Sequence, residues 1–431
     1  MIRIIDLKKT DIRECLKRNS LFREDIENSV REILAGVQKG GDQAVREYTE
    51  KFDHVHLDHF EVDESEISEA VTSVDPAFMN ILREAAENIR KFHQHQVQTG
   101  FIDVSEPGKI LGQRFIPLEK VGIYVPGGTA AYPSSVLMNA VPAKLAGVRE
   151  IVMVTPPGKD GKIPSTILAA AKIAGIDRIF KVGGAQAIGA LTYGTESIPK
   201  VYKIVGPGNV FVATAKRMVL GLVGIDMFAG PSEILVIADG KTDPQIAAAD
   251  LLSQAEHDIN ASAMLITDSP ELAQSVSEEL EKQIPLLPRA EICRKSVDNN
   301  GRIFLVKDLH QAVETANLIA PEHLELCVDD PFLLFPEVTN AGSVFLGRNT
   351  PEALGDYFAG SNHVLPTSGT AHFSSPLSVD DFVKKSQFIC YSRDALSGVQ
   401  KQISLFAEQE GLHAHARSVE IRFPDQSKED L

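Results

Sequence analysis

The feature that most constrains the fold is an alternation of short apolar segments with alanine-rich helical patterns, which runs from about residue 110 to 373. Eight segments have the length and composition of buried strands: VGIYV (121–125), EIVMVT (150–155), RIFKV (178–182), YKIVG (202–206), EILVIA (233–238), AMLIT (263–267), RIFLV (302–306) and SVFLG (343–347). Helical patterns fit between most of them, at 134–146, 165–174, 184–193, 209–221, 244–257, 270–283 and 308–320. Alternation of this kind predicts parallel sheets with crossover helices, which is the α/β class.

The length of the chain predicts several domains, because 431 residues exceed what one small core holds. We favour two Rossmann-like parallel-sheet units, joined at Gly-Pro-Ser 230–232, over one large sheet. The predicted organisation is an N-terminal arm (1–21), a larger α/β domain (22–120 with 233–373) that begins with a helical region, a smaller Rossmann-like domain (121–232) and a C-terminal tail (374–431). The tail contains one predicted helix, at 394–410, and lies outside the alternation.

Charge and composition limit the classes of binding partner and the cellular compartment that we expect for this chain. A net charge of −16 argues against binding to nucleic-acid phosphates or to anionic lipid. No apolar run approaches the length of about 20 residues that spans a bilayer, and the charged N-terminus has no signal-peptide pattern. The four cysteines are widely separated, which indicates reduced thiols. We therefore expect a cytoplasmic protein that binds neither membrane nor nucleic acid.

Three glycine turns follow strands in the smaller domain: VPGGTAAYPSS (125–135), VGGAQAIG (182–189) and VGPGNVFVATAK (205–216). None is a complete G-x-G-x-x-G motif, and Asp226 stands at a poor offset for gripping a ribose. Each turn alone is equally typical of a tight strand-to-helix connection. Because all three lie at the same end of successive parallel strands, where ligands bind in open sheets, they favour a phosphate-containing ligand. Tyr124, Gln186 and Asn209 stand at these strand ends.

A polar stripe follows the helix predicted at 244–257, where Asp250, Gln254 and His257 recur at helical spacing. The stripe alone is more typical of a wet helix face than of a metal site. Further oxygen and nitrogen ligands are available in two other segments. One is the glycine-rich 352–366, predicted to be a loop with Asp356 and His363 and with little to bury them, and the other is EQEGLHAHARS (408–418), which holds Glu410, His413 and His415. Such a mixed set suits zinc, and also manganese or cobalt.

Glu322 and His323 lie side by side after Pro321, at a predicted helix-to-strand turn. A carboxylate beside an imidazole can divide acid–base work, with the histidine moving protons and the glutamate activating a water. A solvated turn is the alternative interpretation. Cys327, four residues later, is a candidate nucleophile in principle. Its apolar neighbours favour a buried and unreactive thiol instead.

The chain resembles the histidinol dehydrogenases over nearly its whole length. The resemblance is carried by VGIYVPGG, VGGAQAI, KIVGPGN, IDMFAGPSEILVIAD, LLSQAEH, APEHLEL, GDYFAGSNHVLPT and EGLHAH, among which IDMFAGPSE to SQAEH and GSNHVLPT are highly specific. It implies two Rossmann-like units arranged as in aldehyde dehydrogenases. It also implies oxidation of L-histidinol through L-histidinal to L-histidine, with two NAD molecules and a zinc ion, as the last steps of histidine biosynthesis.

The resemblance assigns residues to these roles. It implies zinc ligation by Gln254, His257, Asp356 and His415, catalysis by Glu322 and His323, and NAD binding by Tyr124, Gln186 and Asn209. The resemblance also implies that the substrate contacts Ser232 and Glu410, in addition to His323 and the zinc ligands. His415 is preferred to His413 because it keeps the spacing from Glu410. A homodimer is implied, in which the tail crosses to the second subunit and His415 and Glu410 complete that subunit's site.

Three rival functions share parts of this pattern. A related dehydrogenase of another amino or sulfonated alcohol would use the same metal and catalytic residues. A metal-dependent hydrolase would use water activated by Glu322 and turn over without NAD. A non-catalytic metal- or nucleotide-binding protein would bind normally after substitution of Glu322 or His323.

Overall fold

The computed structural model describes residues 1–15, 24–127, 131–227 and 230–423. Its strands are β1 (Arg3–Asp6), β2 (Phe101–Asp103), β3 (Lys109–Pro117), β4 (Lys120–Tyr124), β5 (Glu150–Thr155), β6 (Arg178–Lys181), β7 (Lys203–Val205), β8 (Gly224–Ile225), β9 (Glu233–Ala238), β10 (Ser262–Thr267), β11 (Arg302–Leu305), β12 (His323–Cys327), β13 (Ser343–Leu346) and β14 (Val383–Tyr391). Parts of the predicted arm (16–21), of the first glycine turn (128–130) and of the tail (424–431) lie outside the described residues.

The helices of the described residues alternate with the parallel strands as predicted. They are α1 (Ile12–Cys15), α2 (Glu24–Asp53), α3 (Glu64–Ser73), α4 (Pro76–His93), α5 (Pro133–Ala146), α6 (Ser165–Ala174), α7 (Gly184–Tyr193), α8 (Val210–Val219), α9 (Pro244–Ala255), α10 (Pro270–Gln283), α11 (Ala290–Asn300), α12 (Leu309–Ile319), α13 (Pro331–Leu334), α14 (Glu352–Tyr357), α15 (Arg393–Ser397), α16 (Gln400–Gln409) and α17 (His413–Glu420). Among them, none combines the length and the apolar character needed to cross a membrane.

Two parallel sheets form the first compact unit, which comprises Met1–Val97 and Leu118–Phe382. One sheet has six strands in the order β1-β11-β10-β9-β12-β13, and the other has five in the order β6-β5-β4-β7-β8. All pairings within both sheets are parallel. The prediction of an α/β fold with two parallel-sheet units is therefore confirmed.

The six-stranded sheet is buried on both faces, and this explains the continuous apolar sequence of its central strands. In β9, Ile234 and Val236 pack with α9, α10 and α11, while Leu235 and Ile237 pack with α12 on the opposite face. Along β12 the same alternation places Leu324 on the face of the sheet that packs with α12. Neighbouring residues of that strand then face α9, because side chains alternate along a strand.

The five-stranded sheet shares its core with the N-terminal helix α2. Ile26, Val30 and Val37 of this helix pack with Val152 and Phe180 of the sheet. Helix α2 lies in the range 22–120, which the sequence analysis assigns to the larger domain together with 233–373. The division into domains stays a prediction.

The structure also has strands that the sequence analysis did not predict, among them β1, β2, β3 and β14. Residues 3–6 of the predicted arm are β1, an edge strand of the six-stranded sheet beside β11.

The second compact unit comprises Gln98–Pro117 and Val383–Leu431. Within it, β14 pairs antiparallel with β3, which also pairs with β2, and α15, α16 and α17 follow.

Candidate active site

A cavity of about 1050 Å³ lies in the first unit and is lined by residues from both parallel-sheet halves. From the six-stranded half come six of the predicted site residues: Ser232, Gln254, His257, Glu322, His323 and Asp356. The five-stranded half contributes Pro126 and the turn 206–209. The cavity therefore lies between the carboxyl ends of the five-stranded sheet, where ligands bind in open parallel sheets, and the amino ends of β9 and β12 in the six-stranded sheet.

Strand β12 holds the predicted catalytic pair at its first residues. Helix α12 ends at Ala320, whose left-handed φ of 49° turns the chain, and Pro321 prevents the helix from continuing. His323 then pairs with Ile234 of β9 on one side and with Ser343 of β13 on the other. Both members of the pair are buried, with 7% exposure for Glu322 and 3% for His323. They are therefore not part of a solvated turn.

The hydrogen bonds of His323 indicate which ring nitrogen is available for chemistry. Nδ1 lies 3.0 Å from the backbone oxygen of Glu233 and 3.0 Å from Nε2 of Gln254. A carbonyl oxygen only accepts, so the bond to Glu233 places the proton of the neutral ring on Nδ1. Nε2 is buried without a hydrogen-bond partner among the described residues and lies 3.7 Å from Oδ1 of Asp356.

Burial and neighbouring charges set the protonation of this pair. Burial raises the pKa of Glu322 to about 8, against the opposing influence of His323. Burial alone lowers the pKa of His323, but the carboxylates of Glu322, Asp356 and Glu352 outweigh it and raise that pKa to about 10. The carboxylate of Glu322 accepts the backbone N–H of Glu233 at 2.8 Å, which fixes its orientation.

Helix α9 carries Gln254 and ends just before His257. Asp243 caps its first turn by accepting the N–H of Gln245, and Pro244 occupies the first helical position. Gln254 is 1% exposed, and its Oε1 has no hydrogen-bond partner. Burial lowers the pKa of His257, which favours the neutral imidazole. The stripe on α9 is therefore not a wet helix face.

The side chain of Asp356 lies on a short helix and is largely buried, so the prediction of a poorly buried loop was wrong for this residue. Residues 352–357 form α14, and the side chains of Asp356 and His363 are only 14% and 12% exposed. His363 Nδ1 lies 3.9 Å from Oδ1 of Asp356. Burial raises the pKa of Asp356, but its contact with His323 and the charges of the surrounding histidines outweigh burial, and the net pKa is lowered.

These donors fit a divalent metal such as zinc. Metal ligands must be deprotonated, and here a neutral imidazole, an ionised carboxylate and an unpartnered amide oxygen line the same cavity. His323, Glu352 and Asp356 also place ligand-type atoms within 4.8 Å of one another. Glu352 was missed by the sequence reasoning, because one more acidic residue in an acidic segment carries no signal of its own burial.

The residues predicted to bind NAD lie in different environments. Asn209 lines the cavity, but its side chain caps α8 by accepting the N–H groups of Phe211 and Val212. Tyr124 and Gln186 are buried at 3% and 1% exposure and do not line the cavity. Both amide atoms of Gln186 nevertheless lack a hydrogen-bond partner, which is rare for a buried side chain and indicates a place for a polar group or water.

Asp226 has a structural role in this half, which agrees with its poor offset for a ribose. It forms an ion pair with Lys216 at 2.5 Å, and the two side chains are 1% and 3% exposed. Its Oδ2 accepts the N–H of Gly206, while Lys216 Nζ donates to the carbonyl of Gly206. Gly206 has a φ of 108°, which disfavours any other residue. The ion pair therefore fixes the turn that lines the cavity.

The two tail residues predicted for the site belong to the second unit. Glu410 is the C-terminal cap of α16, and His415 lies in the first turn of α17. Both side chains are exposed within the chain. Cys327, in contrast, is 2% exposed, and burial raises the pKa of its thiol, which agrees with the prediction of an unreactive cysteine.

A sequence model of the family described as histidinol dehydrogenase matches residues 16–423. The chain belongs to this family. A histidinol dehydrogenase of Bacillus cereus is 56% identical over 412 residues, covering 95% of this chain and 96% of the relative. One of Streptococcus mutans is 54% identical over 398 residues, covering 92% and 93%.

A solved structure gives the same answer for the fold. The histidinol dehydrogenase of Elizabethkingia anophelis superimposes with a TM-score of 0.93 at 37% identity, and the match covers 99% of both chains. Family membership makes this chain an oxidoreductase that acts on an alcohol or aldehyde group. The predicted family and enzyme class are therefore confirmed.

Proposed function

We propose that the chain oxidises L-histidinol through L-histidinal to L-histidine, with two NAD molecules in turn and a zinc ion, in the last steps of histidine biosynthesis in the cytoplasm. One observation carries the proposal. Gln254 Oε1 and His323 Nε2 are buried without partners, and both residues line a cavity shared with His257, Asp356 and Glu322. Buried polar atoms of this kind require a ligand or water to satisfy them.

The ligands for zinc would be Gln254, His257 and Asp356, with His415 supplied by a second copy of the chain. Bound zinc supplies a Lewis acid without redox chemistry, which would hold the imidazole and amino group of the substrate. Ser232 lines the same cavity. Glu410 caps the end of α16, and His415 lies near the start of the next helix, α17. We assign Ser232 and Glu410 to contacts with the substrate.

His323 would act as the base in both oxidations. The proton of the neutral ring lies on Nδ1, which donates to the carbonyl of Glu233. Nε2 would therefore take the proton of the substrate hydroxyl, while NAD would accept the hydride from the carbon that bears this hydroxyl. Neutralisation of Asp356 by a bound cation would remove one cause of the raised pKa of His323. The imidazole would then titrate nearer to the range in which a base is useful.

Glu322 would act between the two oxidations. The carboxylate would take a proton from water as the oxygen of that water adds to the aldehyde carbon, and the aldehyde oxygen would take the proton that His323 gained in the first oxidation. The resulting hydrate could then lose a second hydride to NAD. Burial raises the pKa of Glu322 to about 8, which makes its carboxylate a stronger base than an exposed one.

For NAD, we propose binding along the five-stranded half, with Tyr124, Gln186 and Asn209 as contacts. The turn at 206–209 supports this assignment, because it lines the cavity and precedes α8, whose N-terminal end carries a partial positive charge that favours an anion. The unpartnered amide of Gln186 supports a polar ligand atom near the start of α7.

The direct test is the number of NADH molecules formed for each histidinol consumed, with and without a metal chelator. We expect two NADH per histidinol, loss of activity on chelation and recovery with Zn²⁺. Other amino alcohols and sulfonated alcohols serve as controls and should give no NADH. Turnover without NAD, or preference for another alcohol, would contradict the proposal.

The shared dimeric site has a separate test. His415→Ala and His323→Asn would each be inactive as homodimers, whereas a mixed dimer retains one intact site. Mixing the two variants should therefore restore part of the activity. Absence of recovery, with subunit exchange demonstrated by differently tagged chains, would contradict a site completed by a second copy.

A further inference from the structure

Glu325 occupies an unusual position behind the candidate metal centre. It lies two residues after His323 on β12, so both side chains face α9. Glu325 is 1% exposed and does not line the cavity. A buried carboxyl group that contacts no substrate requires another reason for its presence, because burying a charge is costly without hydrogen-bond partners.

One partner of Glu325 is the first residue of the helix that carries Asp356. Its Oε1 accepts the backbone N–H of Glu352 at 2.7 Å. Helix α14 begins at Glu352 and has no side-chain cap of its own, since the preceding residue is Pro351. Glu325 therefore supplies, from a neighbouring strand, the acceptor that caps the start of α14. Asp356 follows four residues later, one turn along the same helix.

A second neighbour of Glu325 lies on the helix that carries Gln254 and His257. Carboxyl oxygens of Glu325 and Asp250 lie within 4.8 Å of each other, so that a proton on one group can be donated to the other, and Cys327 Sγ donates to Oε2 of Glu325 at 3.6 Å. Asp250 precedes Gln254 by one turn of α9. A hydrogen bond also joins α9 to α14, from Ser253 Oγ to Oε2 of Glu352 at 2.8 Å.

We propose that Glu325 is a positioning residue of the metal centre. Its hydrogen bond to Glu352 and its carboxyl contact with Asp250 hold α14, with Asp356, and α9, with Gln254 and His257, at the separation that a shared metal ion requires. Glu325 does not bind the metal or the substrate itself. The inference rests on the proposed function, because it assumes that these three residues hold the zinc.

The test compares two substitutions of nearly equal size in the full-length protein. Glu325→Gln keeps an oxygen for the N–H of Glu352 and an NH₂ group that donates to Asp250. Glu325→Met removes both contacts. Zinc affinity is measured by competition with a chromophoric chelator, well below the unfolding temperature. We expect about 10–100-fold weaker zinc binding for Glu325→Met, the range seen when residues that orient metal ligands are lost, and affinity within about threefold of the parent for Glu325→Gln.

A control separates positioning from general stability. Leu326→Ala truncates the next residue of the same strand, which is fully buried on the opposite face of the sheet. It should lower the unfolding temperature and leave zinc affinity unchanged. If Glu325→Met fails to fold, Asp250→Leu and Asp250→Asn repeat the comparison from the other helix, with weaker zinc binding expected only for the leucine variant.

The outcomes also distinguish this inference from the proposed zinc site. Asp356→Ala should abolish tight zinc binding, and parent-like affinity in that variant would contradict the zinc site itself. If Asp356→Ala loses zinc while Glu325→Met binds it like the parent, the positioning role of Glu325 is wrong. An equal loss in Glu325→Gln and Glu325→Met would also contradict it, because the amide preserves both contacts.

Discussion

On the six-stranded side of the cavity the polar groups are side chains held by buried strands and helices, whereas on the five-stranded side they are mainly backbone groups of a glycine turn. Glu322, His323 and Gln254 are each less than 10% exposed. Across the cavity, the side chain of Asn209 is occupied in capping α8, and Gly206 is held by the pair of Lys216 and Asp226. The first arrangement fixes protonation and orientation, as proton transfer requires. The second fixes the shape of a loop, as recognition of a larger ligand requires.

The largest expected effect tests the six-stranded side. His323→Asn removes the base at Nε2 while leaving the candidate zinc ligands in place. We expect kcat to fall by about 10²–10⁴-fold with histidinol and with histidinal, because general acid–base catalysis contributes that much. Zinc content, measured by atomic absorption, should remain that of the parent. A variant that oxidises either substrate at the parental rate would contradict the assignment of His323.

The next prediction tests the glycine turn. Asp226→Asn leaves the buried ammonium of Lys216 without its counter-charge and weakens the support of Gly206. We expect the free energy of unfolding, measured with urea, to fall by about 3–5 kcal/mol, and the KM for NAD to rise. Glu64→Gln, which breaks an exposed pair with Lys172, is the control and should cost less than about 1 kcal/mol. Equal losses of unfolding free energy in the two variants would show that the buried pair stabilises the fold no more than an exposed pair does.

The smallest prediction concerns a charge near Tyr124. Burial raises the pKa of Asp53 from 3.8 to about 6, and its Oδ2 has no hydrogen-bond partner. Because the folded-state pKa exceeds the unfolded value, this group favours folding below pH 3.8, and that contribution is lost as the pH rises to about 6. Asp53→Asn should therefore flatten the pH dependence of the free energy of unfolding in this window. Asp58→Asn, at an exposed position, should not change it.

The fold was predictable where local sequence determines it. The apolar runs of the central strands, such as EILVIA, are buried on both sides and have no other stable environment. The antiparallel sheet was missed because β3 and β14 are mostly exposed or half-buried, without an apolar run, and are separated by more than 250 residues. Strand β1 was missed because it is short and lies at an edge, where flanking polar residues are tolerated.

The candidate site was only partly predictable from local pattern. The proximity of Gln254 and His257 followed from their spacing near the end of one predicted helix, which ends at Ala255, two residues before His257. Their proximity to Asp356 and Glu322 depends on β12 lying between β9 and β13, a long-range pairing that no local pattern contains. The family resemblance supplied that information. Neither source indicated Glu325 or Glu352, whose roles depend on burial and on bonds between distant segments.

The central claim is that Glu322 and His323 have separate roles on the six-stranded side, and the NADH yield of Glu322→Gln tests it most directly. With histidinol as substrate and an aldehyde-trapping amine present, the variant should form close to one NADH per histidinol and accumulate trapped histidinal. The parent in the same assay, with the trap present, should form two. Formation of two NADH by Glu322→Gln at the parental rate would contradict the division of roles.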